Sequence, residues 1–153
     1  MASIKQAYET TDTLTITLAS LGSAAGRGST AIDNTTNKDP WAKVFVKIKT
    51  GASGVSATGT VNVYLIGSAD GTNYDDAFAG SDAAYTPVNA KLIGYMIANA
   101  NATTYQKTFN LEDLGVELPQ KFSIGIYNVT GAALDSTAGN HAVLVVRNYK
   151  TVA

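Results

Sequence analysis

Trp41-Ala-Lys-Val-Phe-Val-Lys-Ile-Lys-Thr50 and Gly59-Thr-Val-Asn-Val-Tyr-Leu-Ile66 are the two runs that decide the fold class. In the first, Ala42, Val44, Val46 and Ile48 share one face, and Lys43, Phe45, Lys47 and Lys49 the other. In the second, Val61, Val63 and Leu65 oppose Thr60, Asn62, Tyr64 and Ile66. Side chains of a strand alternate with period two, so both runs read as half-buried β-strands. Gly51, Gly54 and Gly59 punctuate the connection and permit a chain reversal. The sequence therefore predicts a β-hairpin with a long loop.

The same alternation recurs on both sides. Leu14, Ile16 and Leu18 alternate with Thr13, Thr15 and Thr17, which predicts a strand with a threonine face. Strands are also predicted over 91–98, 104–109, 121–129 and 141–149. In the first of these, both faces are apolar, which places it centrally or at an interface, and Gly94 marks a candidate bulge. Leu111 to Gly115 is the best helical candidate, at one turn. Residues 21–40 and 77–90 read as long loops, of a length that usually binds something or orders on assembly. No segment sustains a 3.6-residue period. The expectation is an all-β protein, an antiparallel β-sandwich or jelly roll with long loops. Residues 1–9 form an N-terminal arm or edge strand, and residues 10–153 a single β-sandwich domain.

Composition narrows the function classes. The chain has 153 residues, enough for a substantial core, with 45% hydrophobic and only 15% charged residues. A net charge of −1 gives no basic footprint for nucleic acid. There is no cysteine, so disulfides and thiolate metal sites are excluded. The N-terminal residues hold no apolar run of signal-peptide length, and the longest apolar run, 142–146, is too short to span a bilayer. A soluble protein made in the cytoplasm, with no membrane partner, is expected.

Chemistry-bearing motifs are sparse. His141, the only histidine, has no Gly-x-Ser-x-Gly elbow or His-Glu-x-x-His context, so a structural role is expected. Asp70, Asn73, Asp75 and Asp76 form an acidic turn of the kind that can offer oxygen ligands to Ca²⁺, although the EF-hand spacing is missing and Asp70-Gly71 is itself a turn former. Trp41, Tyr64, Tyr74, Tyr85 and Tyr95 offer either stacking surfaces for sugars or ordinary sheet packing. Gly26-Arg27-Gly28 is too short for a phosphate loop, and the Lys43, Lys47, Lys49 stripe reads as a solvated or edge-protecting face. Asn34, Asn101 and Asn128 each open an Asn-x-Thr sequence. No catalytic residue, cofactor-binding residue or metal ligand is assigned, and a non-enzymatic protein is expected.

Two segments carry a resemblance. Val61-Asn-Val-Tyr-Leu-Ile-Gly-Ser-Ala-Asp-Gly-Thr-Asn-Tyr74 resembles the strand followed by Ser-x-Asp-Gly-x-x-Tyr of small virion proteins of tailed bacteriophages. Leu118-Pro-Gln-Lys-Phe-Ser-Ile-Gly-Ile-Tyr-Asn-Val-Thr-Gly-Ala-Ala-Leu134 is similar to their order of Pro, strand and Asn-x-Thr-Gly-Ala, and the strand over 141–149 falls where theirs closes the chain. The family is that of the head decoration, or cement, proteins. The resemblance implies a jelly-roll or β-sandwich protein that sits on the capsid exterior of the virion, binds the phage major capsid protein and stabilises the lattice. It also implies a homo-oligomer, a trimer, synthesised in the bacterial host cytoplasm. The alternative is a carbohydrate-binding or structural β-sandwich module of a phage tail or fibre.

Overall fold

The computed structural model describes residues 3–152. Among the described residues, eleven strands make two antiparallel sheets. In chain order they are β1 (Ile4–Tyr8), β2 (Asp12–Thr13), β3 (Ala25–Gly28), β4 (Ile32–Asp33), β5 (Trp41–Lys49), β6 (Thr60–Ser68), β7 (Ala83–Ala84), β8 (Lys91–Ile97), β9 (Thr104–Asn110), β10 (Lys121–Val129) and β11 (Ala142–Val152). Sheet A has the order β1-β11-β5-β9, with β2 also on β11. Sheet B has the order β7-β3-β10-β6-β8, with β4 also on β10. Two 3₁₀ turns, Asp75–Ala77 and Ala138–Asn140, are the only helical segments among the described residues.

Taking β1 with β2, and β3 with β4, as one interrupted strand each, and setting aside the two-residue β7, leaves eight principal strands. Their orders, first-eighth-third-sixth and second-seventh-fourth-fifth, are those of a jelly roll. The chain changes sheet at nearly every connection, and β6 to β8 is the one step between principal strands that stays within a sheet. This corrects the expected hairpin. β5 and β6 alternate as predicted, but β5 pairs with β11 and β9, whereas β6 pairs with β10 and β8. Alternation states which side chains face inward, and both sheets of a sandwich face the same core, so it does not state which strands are neighbours.

The core fills the space between the sheets. Val44, Val46 and Ile48 of β5, Val61 and Val63 of β6, Phe122, Ile124 and Ile126 of β10, and Val143 and Val145 of β11 are fully buried. Each such side chain contributes about 1.5–3 kcal/mol by leaving water. Leu14 and Leu18 are buried and Ile16 half-buried, but the strand predicted through them is not formed: pairing ends at Thr13, where the segment leaves β11 and crosses between the sheets. Its backbone bonds are spread over several elements: Leu14 N–H to Val143 O, Thr15 O from Thr30 N–H, and Thr17 N–H to Asp82 Oδ1.

Two predicted loops contain strands. β3 and β4 lie within 21–40, and β7 within 77–90. The glycines of β3 read as loop punctuation but answer to packing: a Cβ on Gly28 would lie 2.3 Å from the Phe78 ring. The predicted bulge is present in β8. Val63 faces Gly94 and Tyr64 faces Leu92, leaving Ile93 as the extra residue. β8 is an edge strand, not a central one. Leu111 to Gly115 is a hydrogen-bonded turn and not a helix, closed by Gly115 N–H to Glu112 O and Val116 N–H to Leu111 O.

Candidate docking surface

The two outer faces of the sandwich differ in chemistry. On sheet A the register places Lys43, Lys47, Lys49 and Lys150 outward among Trp41, Phe45, Leu144 and Val146. On sheet B it forms three cross-strand rows from β10, β6 and β8: Val129–Thr60–Ile97, Tyr127–Asn62–Tyr95 and Gly125–Tyr64–Leu92. None of these side chains carries a charge at neutral pH. Ile97 is 58% exposed, Tyr95 54%, Leu92 48% and Val129 42%. Charge depletion with exposed aromatic and branched aliphatic side chains is the composition of an interface core.

The far part of this face is covered by the segment 74–90. Ile66, Phe78 and Tyr85 form a second small core there, with Tyr64, Tyr74, Ala83 and Ala90 packed against it. Tyr85 stands edge-on to Tyr64 and Phe78, with ring centroids 6.2 and 5.7 Å away. Asp76 fastens the strap from a left-handed backbone conformation, φ +57°. Its carboxylate accepts the Tyr85 hydroxyl at 2.9 Å and the N–H groups of Val88 at 3.0 Å, Asn89 at 2.6 Å and Ala90 at 3.2 Å. Burial raises the Asp76 pKa, but these donors outweigh it and bring it down to about 2. Burial, then the Asp76 carboxylate, pushes the Tyr85 hydroxyl pKa up. Asp82 makes a second clasp, accepting Thr17 N–H and Oγ1–H and pairing with Arg27 Nε at 2.6 Å.

The residues singled out in the sequence are dispersed. In the acidic turn, Asp70 accepts the N–H groups of Thr72 and Asn73, the Asn73 amide and the Ser68 hydroxyl, and the Asn73 N–H leads in holding its pKa well below the usual range. Asp75 accepts Gly67 N–H. These carboxylates close the chain's own turns, and among the described residues no three His, Cys, Asp or Glu groups gather as metal ligands. His141 is used through both ring nitrogens: Nδ1 accepts Lys49 N–H at 3.4 Å, and Nε2 donates to Asp135 O at 2.9 Å. Trp41 carries the Lys150 ammonium 5.0 Å from its ring centre, and Tyr74 packs against Gly80, so neither is an open stacking platform. Arg27 of the Gly26-Arg27-Gly28 sequence serves the Asp82 clasp.

The Asn-x-Thr sequences are loop locks. Asn128 is fully buried, donates to Leu21 O, Gly22 O and Ala132 O, and accepts Thr130 N–H and Oγ1–H. Asn34 bonds the Asp39 backbone through both ends of its amide. Asn101 Oδ1 accepts Val55 N–H. Near Asn34 a cleft of about 560 Å³ opens between residues 34–40 and 117–120. Its one buried carboxylate, Asp39, is 3.5 Å from Arg147 Nη1, and Arg147 also holds Asp12 at 3.3 Å. That network ties the N-terminal segment to β11.

Asp76 and Asp82 are not recognisable as clasps in the sequence, because a lone Asp in a polar loop carries no periodic signal. The apolar faces of 91–98 are the one signal that points to the exposed shelf. The two segments that carry the phage-like resemblance lie side by side, since β6 and β10 pair over nine residues at the centre of sheet B. No known protein family and no curated protein matches this chain.

Proposed function

We propose that the protein is a non-enzymatic structural protein of a bacteriophage virion, a decoration protein that binds the outside of the head and stabilises the capsid lattice as a homo-oligomer. The observation that carries the reading is the uncharged shelf of Leu92, Tyr95, Ile97 and Val129 on sheet B. A rigid jelly roll that exposes such a face fits docking onto protein. The resemblance of residues 61–74 and 118–134 supplies the identity of that protein, the major capsid protein, and the expectation of a trimer. Asp70, Asp75, Asp76, Asp82 and the single histidine hold the chain's own turns, which suits a structural part.

Binding through an uncharged face depends on apolar and hydrogen-bond matching, so it weakens only modestly with salt. The test is cosedimentation of the purified protein with undecorated capsids of its own phage at low and high salt. Saturable binding at both salts is expected, and absence of binding at either refutes the reading. The fibre or carbohydrate-binding alternative has less support, because Trp41 and Tyr74 lack open ring faces. Binding to a host polysaccharide in place of capsids would restore it.

A further inference from the structure

The long edges of the two sheets are not treated alike. Sheet B ends on one side in β7, only two residues long, and on the other in β8, which is bulged at Ile93. Sheet A ends on one side in β9, where Lys107 sits at an inward-facing position opposite Val46. Its ammonium lies 5.1 Å from the ring centre of Phe109 and bonds Tyr95 O of β8 at 2.8 Å, closing the gap between the two edges. Short strands, bulges and inward-pointing charges are the devices by which proteins blunt sheet edges.

Edge lysines are a further device, and β1 carries one, the exposed Lys5, but none of the others. It is five residues long, unbulged and free of proline, and it pairs with β11 from Ile4↔Val152 to Tyr8↔Asn148. Beyond Asn148, β11 has run past the start of β5, so β1 and residues 149–152 form a two-stranded ribbon. Glu112 holds this ribbon to the body by accepting the Gln6 amide at 3.2 Å and pairing with Lys150 at 2.9 Å. Glu9 N–H bonds Arg147 O on the β11 side. Backbone groups alternate along a strand, so those of Ala7 and Lys5 also face β11, and those of Ile4, Gln6 and Tyr8 face outward.

We infer that the β1 edge pairs antiparallel with β1 of a second copy about a two-fold axis at Gln6. In that register Gln6 faces Gln6, Ile4 faces Tyr8, and Lys5 faces Ala7, so apolar side chains meet and no like charges oppose. The outward groups form about six reciprocal hydrogen bonds. A parallel, in-register pairing would set Lys5 against Lys5 and is disfavoured. Five residues a side bury less than the roughly 1,000 Å² of a stable interface, so the contact is weak in solution and gains from avidity between oligomers. A two-fold contact joins two oligomers and does not close a three-fold ring. It involves no capsid, so it stands or falls separately from the decoration role.

The chain's lack of cysteine makes the test clean. Gln6→Cys puts two thiols at a hydrogen-bonded pair, about 5.5 Å between Cα atoms, within disulfide range. Lys5→Cys, also exposed, puts them about 8 Å apart, beyond it. In concentrated full-length protein under mild oxidation, Gln6→Cys is expected to crosslink at least about tenfold faster than Lys5→Cys. In sedimentation, the wild-type assembly doubles in mass with concentration and Gln6→Pro does not. Gln6 N–H is outside the β1–β11 ladder, and Lys150 keeps the ribbon on Glu112 without the exposed Gln6 amide, so that proline lowers the melting temperature by no more than about 3 °C. Equal crosslinking of the two cysteine variants, or mass doubling that persists in Gln6→Pro, overturns the inference.

Discussion

Replacing Asp76 with alanine removes the fastening of the 74–90 strap. Three backbone N–H groups and the Tyr85 hydroxyl lose one shared acceptor. A hydrogen bond to a charged group is worth about 1.5–3 kcal/mol, but the losses do not add, because the freed loop N–H groups turn to water. A total of about 2–3 kcal/mol is expected, most of it from Tyr85, which is 5% exposed and cannot release its hydroxyl without leaving the small core. For a domain of this size that is a fall in melting temperature of about 5–10 °C. Asp113→Ala, on an exposed turn, is the control. The folded pKa of Asp76, about 2, lies below the ordinary 3.8, so its contribution is present above pH 4 and lost as pH falls through about 2. Thermal unfolding followed by circular dichroism at pH 7 and pH 2 measures both effects. The gap between Asp76→Ala and wild type should narrow at the lower pH. A melting temperature within about 1 °C of wild type at pH 7 would refute the clasp.

Three further outcomes follow from particular contacts. Arg147→Met leaves Asp39, 2% exposed, without its counter-charge, and should cost about 3–5 kcal/mol in denaturant unfolding. Gly28→Ala sets a methyl against the Phe78 ring and should cost about 1–3 kcal/mol, with Phe78→Leu in the same chain restoring part of the loss. Ile97→Glu, at a position 58% exposed, should leave the melting temperature within about 2 °C of wild type and weaken capsid binding at least about tenfold, because it puts a charge in an apolar contact.

The long strands are legible in the sequence because burial is written into alternation. β5, β6, β9 and β10 fall within a residue or two of their predicted bounds, and β11 runs three residues further, to Val152. β3, β4 and β7 are not legible. They are two to four residues long and take their place from packing against Phe78, Tyr85 and β10, which no local pattern records. Pairing is not legible either, since Val44 and Val61 look alike in sequence but belong to opposite sheets. The shelf on sheet B is half legible: Leu92, Tyr95 and Ile97 stand out as apolar, but only the position of β8 at an edge explains why they are exposed.

As proposed above, this jelly roll stabilises a capsid from outside. The most direct test is the temperature at which undecorated capsids of the same phage come apart, measured with and without saturating protein. A ligand that binds the intact shell and not its dissociated parts shifts the equilibrium toward the shell, so the disruption temperature should rise with protein concentration until the sites are full. An unchanged disruption temperature at saturating protein would mean that the protein does not act as a cement.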